Sequence, residues 1–221
     1  MITAVIFDVD GTLIDSVDLH AKAWQDSFKK FGINVDFKAV RDQIGKGGDN
    51  LMPTFMSPEE IEKLGEEITA FRAKHFKTTY MDQVKPFPQV RELFERVRGD
   101  EKKIAIGSSA KKEELKHYLE LCDIADLVDE KTTADDVANS KPDPDIFAVA
   151  MAKLGSSAGE TIVVGDSPYD AEAARKAGIS TIGVLCGGFT PEVLRAAGAM
   201  ALFDGPSALL NQYEHSPLKK A

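Results

Sequence analysis

The chain has 221 residues, of which 43% are hydrophobic and 29% are charged, and its formal net charge is −9. This balance is typical of a soluble globular protein, and the length suits one large domain or one domain carrying a smaller insertion. The negative charge argues against a general nucleic-acid or anionic-membrane surface, although a local site can still bind an anion.

The first predicted element is a short strand, Ala4–Phe7, that runs directly into two aspartates. Asp8 and Asp10 are separated by one valine and are followed by Gly11 and Thr12 in the sequence DVDGT. Two carboxylates this close repel each other unless they share a cation or a proton. The end of this strand is therefore predicted to bind a cation or to carry out acid–base chemistry.

A long helical stretch follows, over residues 16–84. Apolar residues recur at helical spacing from Val17 to Phe31, and a later helix opens with a capping box, Ser57 to Glu60. About 70 residues of helix is too much for an ordinary crossover between strands. We therefore predict a catalytic core of residues 1–15 and 85–221, with an inserted all-helical cap of residues 16–84.

The rest of the chain alternates short apolar runs with capped helical patterns. The runs are Ile104–Ile106, Ile162–Val164, Ile179–Val184 and the weaker Ala201–Phe203. Continuous rather than alternating runs indicate strands that are covered on both faces. Asp143 and Pro144 open one helix, while Ser167 and Pro168 open another that closes at Gly178. This alternation predicts a doubly wound α/β domain with a mostly parallel sheet.

Polar residues follow three of the predicted strands. Asp8 ends the first, Ser108 and Ser109 follow IAIG, and Asp166 follows IVVG, while Lys141 precedes a capped helix. Because ligands of open α/β sheets bind at the carboxyl ends of the strands, we expect these side chains to meet there. The last nine residues, 213–221, are expected to form a loose tail.

The carboxylates of this set suit a hard divalent cation. Asp8 and Asp166, with Asp170 open as a third ligand, offer the oxygen atoms that Mg²⁺ takes, and Mg²⁺ is usually held by one or two carboxylates plus substrate phosphate. Asp10 can then carry a proton instead of a charge.

The other polar groups suit a phosphate. Ser108, Lys141 and the backbone amides after Asp8 can contact phosphate oxygens, so the set predicts phosphoryl transfer through a carboxylate nucleophile. Ser109 is either a further phosphate contact or a plain loop serine. Asp170 is either a functional acid or only the acidic half of a helix capping box.

The four motifs, taken together, resemble those of the haloacid dehalogenase superfamily of phosphatases. DVDGT at residues 8–12, Ser108 after a strand, Lys141 before a helix and GDSPYD at residues 165–170 occur in that family's order over the whole chain. The helical insertion resembles the small α-helical cap of the phosphoglycolate phosphatase and beta-phosphoglucomutase-like group. The resemblance therefore implies a Rossmann-like core with such a cap.

By position, the resemblance implies that Asp8 is the nucleophile and Asp10 the general acid and base. It implies Mg²⁺ ligation by Asp8, Asp10 and Asp166, with Asp170 and Thr12 in support. It also implies that phosphate contacts come from Ser108, Ser109 and Lys141.

Three residues of the predicted cap are candidate substrate contacts. Lys46 and Gly47 lie in the glycine-rich stretch Gly45–Gly48, which is either a simple turn or, at the tip of a cap over an active site, a loop that reads the substrate through Lys46. His20 lies on an apolar helical stripe. It is either a packed histidine or, by the resemblance of HAKAW to beta-phosphoglucomutase-like proteins, a hinge or proton relay.

The expected function is a Mg²⁺-dependent phosphatase that hydrolyses a small phosphorylated metabolite, a phosphoglycolate-like compound or a sugar phosphate, through an aspartyl-phosphate. One alternative is a beta-phosphoglucomutase-like enzyme, which passes the phosphoryl group to a sugar hydroxyl. Another is a phospho-acceptor signalling domain, which the paired Asp8 and Asp10, the helical insertion and the chain length all disfavour.

The expected partner is a small phosphorylated metabolite, with no nucleic acid and no membrane, and the expected assembly is a monomer or homodimer. The N-terminal residues show no basic stretch before a long apolar run, and no apolar run is long enough to span a membrane. We therefore expect a cytoplasmic protein.

Overall fold

A six-stranded parallel sheet forms the centre of the molecule, in a computed structural model that describes residues 1–219. The described residues form eight strands in all, six in this sheet and two in a small separate one. They are β1 (Ala4–Phe7), β2 (Ile14–Asp15), β3 (Lys85–Pro86), β4 (Lys103–Gly107), β5 (Glu130–Thr132), β6 (Thr161–Gly165), β7 (Ser180–Val184) and β8 (Ala199–Phe203). The sheet order is β5-β4-β1-β6-β7-β8, and β2 forms a separate antiparallel pair with β3. All neighbours in the large sheet are parallel, which confirms the predicted α/β fold.

The described part of the chain contains ten α-helices, of which the first four pack on one another in a cluster of their own. They are α1 (Val17–Lys30), α2 (Phe37–Arg41), α3 (Gly48–Leu51), α4 (Pro58–Thr79), α5 (Val90–Gly99), α6 (Lys112–Leu121), α7 (Asp145–Leu154), α8 (Pro168–Lys176), α9 (Pro191–Ala197) and α10 (Pro206–Asn211). None of the helices within residues 1–219 is both long enough and apolar enough to cross a bilayer.

Helices α1 to α4 all lie between β2 and β3. The predicted capping box begins α4: the Ser57 hydroxyl accepts from the Glu60 amide at 3.3 Å, and the Glu60 carboxylate accepts from the Ser57 amide at 2.8 Å. The division of the chain into a core and a cap at residues 16 and 84 remains a prediction.

The strands of the sheet are buried on both faces. Val5 and Phe7 of β1 pack with helices α5 and α6, whereas Ala4 and Ile6 pack with α7 and α8. Alternate residues of a strand point to opposite faces, so a strand covered on both sides must be apolar at every position. This explains why β1 is a continuous apolar run.

Three local features differ from the sequence prediction. Helix α7 begins at Asp145, with Pro144 as its N-cap, rather than at Asp143. Strand β5 pairs with β4 at the edge of the sheet and was not predicted. The predicted loose tail is wrong over residues 213–219, because Tyr213 and Leu218 are buried. Residues 220 and 221 lie outside the described residues.

Candidate active site

Three adjacent strands deliver the polar residues of the site. Asp8 follows β1, Ser108 follows β4 and Asp166 follows β6, and β1 lies between the other two strands. Because the three strands are parallel, their carboxyl ends meet at one edge of the sheet. Asp8, Ser108 and Asp166 are all buried there.

Lys141 is the cation of this buried cluster. Its ammonium group donates to Oδ1 of Asp8 at 2.6 Å and to Oδ1 of Asp170 at 2.8 Å, and the Lys141 side chain is only 1% exposed. The other oxygen of Asp170 accepts from the hydroxyl and the amide of Ser167, at 2.6 and 3.0 Å. Asp170 therefore caps α8 and pairs with Lys141 at the same time.

The carboxylates of Asp8 and Asp166 lie on either side of one hydroxyl. Oγ1 of Thr12 is 3.3 Å from Oδ2 of Asp8 and 3.3 Å from Oδ1 of Asp166. Gly11 has a positive φ of 77°, and a Cβ at this position would lie 2.4 Å from Asp166 Oδ2. Only glycine allows the backbone this close to the carboxylate.

Burial and like charge raise the pKa values of these aspartates. Burial and the negative charge of Asp170 raise the pKa of Asp8 to about 7, against the lowering effect of Lys141. Burial and the charges of Asp170 and Asp8 raise the pKa of Asp166 well above its usual range. Oxygens of these three aspartates lie within 4.8 Å of one another. One lysine does not balance three buried carboxylates, so the cluster has the composition of a cation site.

Asp10 belongs to a different network from the three clustered carboxylates. Its Oδ1 accepts from Ser16 Oγ at 2.6 Å and contacts His20 Nε2 at 2.8 Å, while Nη2 of Arg72 contacts His20 Nδ1 at 2.5 Å. Arginine can only donate, so Nδ1 of His20 accepts and Nε2 carries the hydrogen that points to Asp10. Burial raises the pKa of Asp10, but the electrostatic attraction and hydrogen bond of His20, the Ser16 hydrogen bond and the charge of Arg72 together hold it below its usual range.

The two serines after β4 have different surroundings. Ser108 is fully buried, and its Oγ accepts from the Ala110 amide at 3.1 Å. Oγ of Ser109 is buried without a hydrogen-bond partner among the described residues, and Ser109 lines the cavity next to Asp8.

The glycine-rich loop is packed against the core. Lys46 donates to Gln43 Oε1 at 2.6 Å, and its ammonium group lies 4.9 Å from the ring centre of Tyr169 on α8. A Cβ on Gly47 would lie 2.1 Å from Ser140 Oγ, so this glycine permits close contact with the segment before Lys141. Lys46 and Gly47 both line the cavity next to Asp8.

Two residues of α3, Asp49 and Asn50, also contact the segment that ends at Lys141. Nδ2 of Asn50 donates to the carbonyl oxygens of Ser140 and Lys141, at 3.0 and 3.3 Å. The carboxylate of Asp49 accepts from the Ser140 amide at 3.4 Å. Helix α3 therefore holds the segment that carries Lys141 through both its carbonyl and its amide groups.

Two cavities adjoin these residues. A small cavity of about 80 Å³ is lined by Asp8, Asp10 and Lys141, and a larger one of about 750 Å³ lies between α1, α4 and the loops after β4 and β5. Trp24, Arg72, Ser109 and Glu114 are among the residues that line both, as are Gly47 and Gly48.

Sequence reasoning missed Arg72, Asn50 and Glu114. Arg72 and Glu114 lie on helices that carry several other polar residues, Asn50 lies in the four-residue helix α3, and no motif distinguishes any of them. Arg72 meets His20 only because α4 packs on α1, a contact that single-sequence periodicity does not report.

The parallel sheet and the carboxylate-rich site at its strand ends define the chain as an α/β protein with a candidate active site at the switch between strands. It belongs to the haloacid dehalogenase-like hydrolase family, whose family model matches residues 5–184. This confirms the resemblance carried by the four motifs.

Several relatives and solved structures are similar over nearly the full length. A phosphorylated carbohydrates phosphatase from Thermotoga maritima is 31% identical, over 94% of this chain and 96% of that protein. The crystal structure of a hydrolase from Pseudomonas syringae has a TM-score of 0.86 at 29% identity, covering 96% of this chain and 98% of the other. A protein from Bacteroides vulgatus, provisionally assigned as a beta-phosphoglucomutase, has a TM-score of 0.83 at 25% identity, covering 99% and 91%.

Proposed function

We propose that the protein is a Mg²⁺-dependent phosphatase that hydrolyses a small phosphorylated metabolite. The observation that carries the proposal is the position of Asp8, which a buried lysine contacts on one side and a second buried aspartate faces on the other. A carboxylate in this setting can attack phosphorus, while the surrounding charges neutralise the transferring group.

The residues present fit a bound Mg²⁺. Asp8 and Asp166 would hold the ion, since both oxygens of Asp170 are already engaged by Lys141 and Ser167. When bound, Mg²⁺ would supply the positive charge that lets an anionic phosphate approach a carboxylate. A role for Asp10 as a further ligand stays a prediction, because its carboxylate lies in the separate network with His20.

The remaining roles follow from the side chains near Asp8. In the proposed reaction, Asp8 attacks phosphorus and forms an aspartyl-phosphate as the P–O bond to the leaving group breaks. Asp10, whose carboxylate the His20 network keeps ionised, would take up a proton as the anionic phosphate binds, pass it to the leaving oxygen and then remove a proton from the water that hydrolyses the intermediate. Lys141, Ser108 and Ser109 would contact the phosphate oxygens, with Lys141 supplying charge.

The proposed substrates are a phosphoglycolate-like compound or a sugar phosphate. The name of the Thermotoga maritima relative supports the phosphorylated carbohydrate class. The similarity to the Bacteroides vulgatus protein supports a second candidate, a beta-phosphoglucomutase-like transfer to a sugar hydroxyl. Both candidates share the first half-reaction, formation of the aspartyl-phosphate, and differ in whether water or a hydroxyl group accepts the phosphoryl group.

A substrate screen tests the proposal. Phosphate release should be measured with an aryl phosphate, phosphoglycolate and several sugar phosphates, with Mg²⁺ and with chelator. Multiple turnovers that depend on Mg²⁺ are expected. Conversion of a hexose 1-phosphate to the 6-phosphate without phosphate release would favour the mutase. Phosphorylation of each chain once, with no further turnover, would contradict both the phosphatase and the mutase.

A further inference from the structure

The wall of the cavities carries a carboxylate that the proposed chemistry does not use. Glu114, on α6, lines both the small cavity next to Asp8 and the larger one. Its Oε1 accepts from the hydroxyl of Tyr118 at 2.7 Å, and Tyr118 is buried. The same oxygen lies 3.9 Å from Nε2 of His20, which is the nitrogen that faces Asp10. The carboxylate is therefore fixed beside the candidate general acid, where the leaving group of a substrate would lie.

Two buried polar atoms without a partner in the described residues belong to residues that line the same cavities. They are Nε of Arg72 and Oγ of Ser109. The guanidinium of Arg72 cannot bind an anion through both Nε and Nη2, because Nη2 already donates to His20. Its central carbon also lies over the rings of Trp24 and Phe76, at 5.6 and 5.2 Å from their centres. Since the Ser109 hydroxyl is assigned to the phosphate, a leaving group would thus meet a donor from Arg72 and an acceptor from Glu114.

A hydroxyl group matches this arrangement, and an anionic oxygen does not. A hydroxyl can accept from Arg72 and donate to Glu114. The oxygens of a carboxylate or a phosphate dianion can only accept, so they could contact Arg72 but would leave Glu114 without a donor and lie against its negative charge in a site partly screened from water.

We infer that Glu114 is a specificity residue, which selects phosphate esters with a neutral, hydroxyl-rich leaving group and rejects those whose leaving group carries a second negative charge. This inference rests on the proposed function, since it concerns the substrate of the same site. Within the proposed substrate class, it favours sugar and polyol phosphates over phosphoglycolate and pyrophosphate.

The test compares kcat/KM for two pairs of substrates. Glycerol 1-phosphate and a hexose 6-phosphate have neutral leaving groups, whereas phosphoglycolate and pyrophosphate have anionic ones. Glu114→Gln keeps the size of the side chain and an acceptor for Tyr118 while removing the charge. Glu120→Gln is the matched control: Glu120 is exposed on the same helix and lies 3.8 Å from Lys116, so its loss changes the net charge equally but away from the cavities.

The wild type should prefer the neutral pair by about tenfold or more, because juxtaposed like charges weaken binding strongly. Glu114→Gln should narrow that ratio by about tenfold, chiefly by raising kcat/KM for the anionic pair. Glu120→Gln should leave the ratio within about twofold of wild type, and unchanged melting temperatures would show that both variants are folded.

Two results would overturn the inference: equal or better use of the anionic pair by the wild type, or an unchanged ratio in Glu114→Gln. A failure of the proposed phosphatase function would give a different result from a failure of the Glu114 inference. An enzyme that releases no phosphate from any substrate, an aryl phosphate included, would overturn both.

Discussion

Lys141 is the residue on which the charge balance of the site depends. It is buried and contacts two carboxylates, and the pairing with Asp170 and Asp8 raises its pKa despite burial, so it stays charged. With Lys141 charged, Asp8 has a cation beside it as well as the Thr12 hydroxyl, whereas the neighbouring carboxylates repel its negative form. The geometry therefore keeps a carboxylate available at a position where burial alone would neutralise it.

Replacing Asp8 by Asn should abolish turnover while leaving the fold intact. Asn keeps the size and can still contact Lys141, but it cannot attack phosphorus, so kcat for an aryl phosphate should fall on the order of 10³-fold or more. Asp82→Asn, a change at an exposed position, serves as control. Full activity in freshly purified Asp8→Asn, with the substitution verified by mass spectrometry, would rule out the covalent mechanism.

Removing the metal should stop the reaction reversibly. Chelator should abolish phosphate release and Mg²⁺ should restore it, whereas Ca²⁺ should inhibit because its larger, looser shell recruits extra carboxylate oxygens and would occupy Asp8. Asp166→Ala should raise the Mg²⁺ concentration for half-maximal activity by about 100-fold or more. Unimpaired turnover in chelator would contradict the assignment of Asp8 and Asp166 as ligands.

Arg72 should control which nitrogen of His20 carries hydrogen. Arg72→Met removes the donor to Nδ1, so the ring can populate both tautomers, and kcat should fall on the order of tenfold as Asp10 loses a fixed partner. Arg72→Lys retains a donor and should recover most of the activity. The ¹⁵N chemical shifts of the His20 ring measure the tautomer directly, and wild-type shifts in Arg72→Met would refute this account.

Some of these residues could be predicted from the sequence, and others could not. Asp8, Ser108 and Asp166 could be placed together in advance because each follows a predicted parallel strand. Arg72 and Glu114 could not, because their positions depend on how helices pack on one another. For the residues that the motifs do single out, the catalytic roles remain predictions, since proximity alone does not assign chemistry.

At the scale of elements, the segment before α7 is held by the helical region from residues 16–84. Helix α3 places Asn50 on the carbonyls of Ser140 and Lys141, and Tyr169 on α8 donates to the carbonyl of Asp42 at 2.6 Å. These contacts link the helices over the site to the loops that carry Lys141 and Asp166. A movement of those helices would therefore change the positions of Lys141 and Asp166 in the charged cluster.

Asn50→Ala should weaken that link without unfolding the protein. A net hydrogen bond is worth about 1 kcal/mol, which corresponds to about a fivefold change in an equilibrium, so kcat/KM should fall by about that factor. Hydrogen exchange at the Ser140 and Lys141 amides should rise in parallel. The exposed residue Asn211 provides the control, Asn211→Ala. If neither exchange nor kcat/KM changes in Asn50→Ala, the contact does not support the site.

Elements with a continuous or periodic pattern of apolar residues could be predicted from the sequence, and elements without such a pattern could not. Strand β1 reads as a continuous apolar run because both its faces are buried. Strand β5 consists of Glu130, Lys131 and Thr132 at the sheet edge, where one neighbour suffices and no apolar run is needed. The pair β2 and β3 has only two residues in each strand, which is too short for any periodicity to show.

For the whole molecule, the C-terminal residues are part of the core. Leu218 is fully buried, so Leu218→Ala should lower the free energy of unfolding by about 2–5 kcal/mol. Lys219→Ala, which removes a partly exposed ion pair with Asp100, should cost less than about 1 kcal/mol. Urea denaturation followed by circular dichroism distinguishes the two, and equal effects would mean that these residues do not pack as described.

The chain leaves the sheet through β2 and returns through β3, and these two strands are hydrogen-bonded neighbours, with Ile14 opposite Pro86. The two ends of the intervening segment therefore stand about 5 Å apart, the spacing of paired strands. A segment joined in this way can be lengthened, shortened or exchanged during evolution without moving the strands that hold Asp8 and Asp166. Inheritance can thus conserve Asp8 and Asp166 in one part of the gene while cavity-lining residues of the intervening segment, such as Trp24 and Arg72, diversify in another.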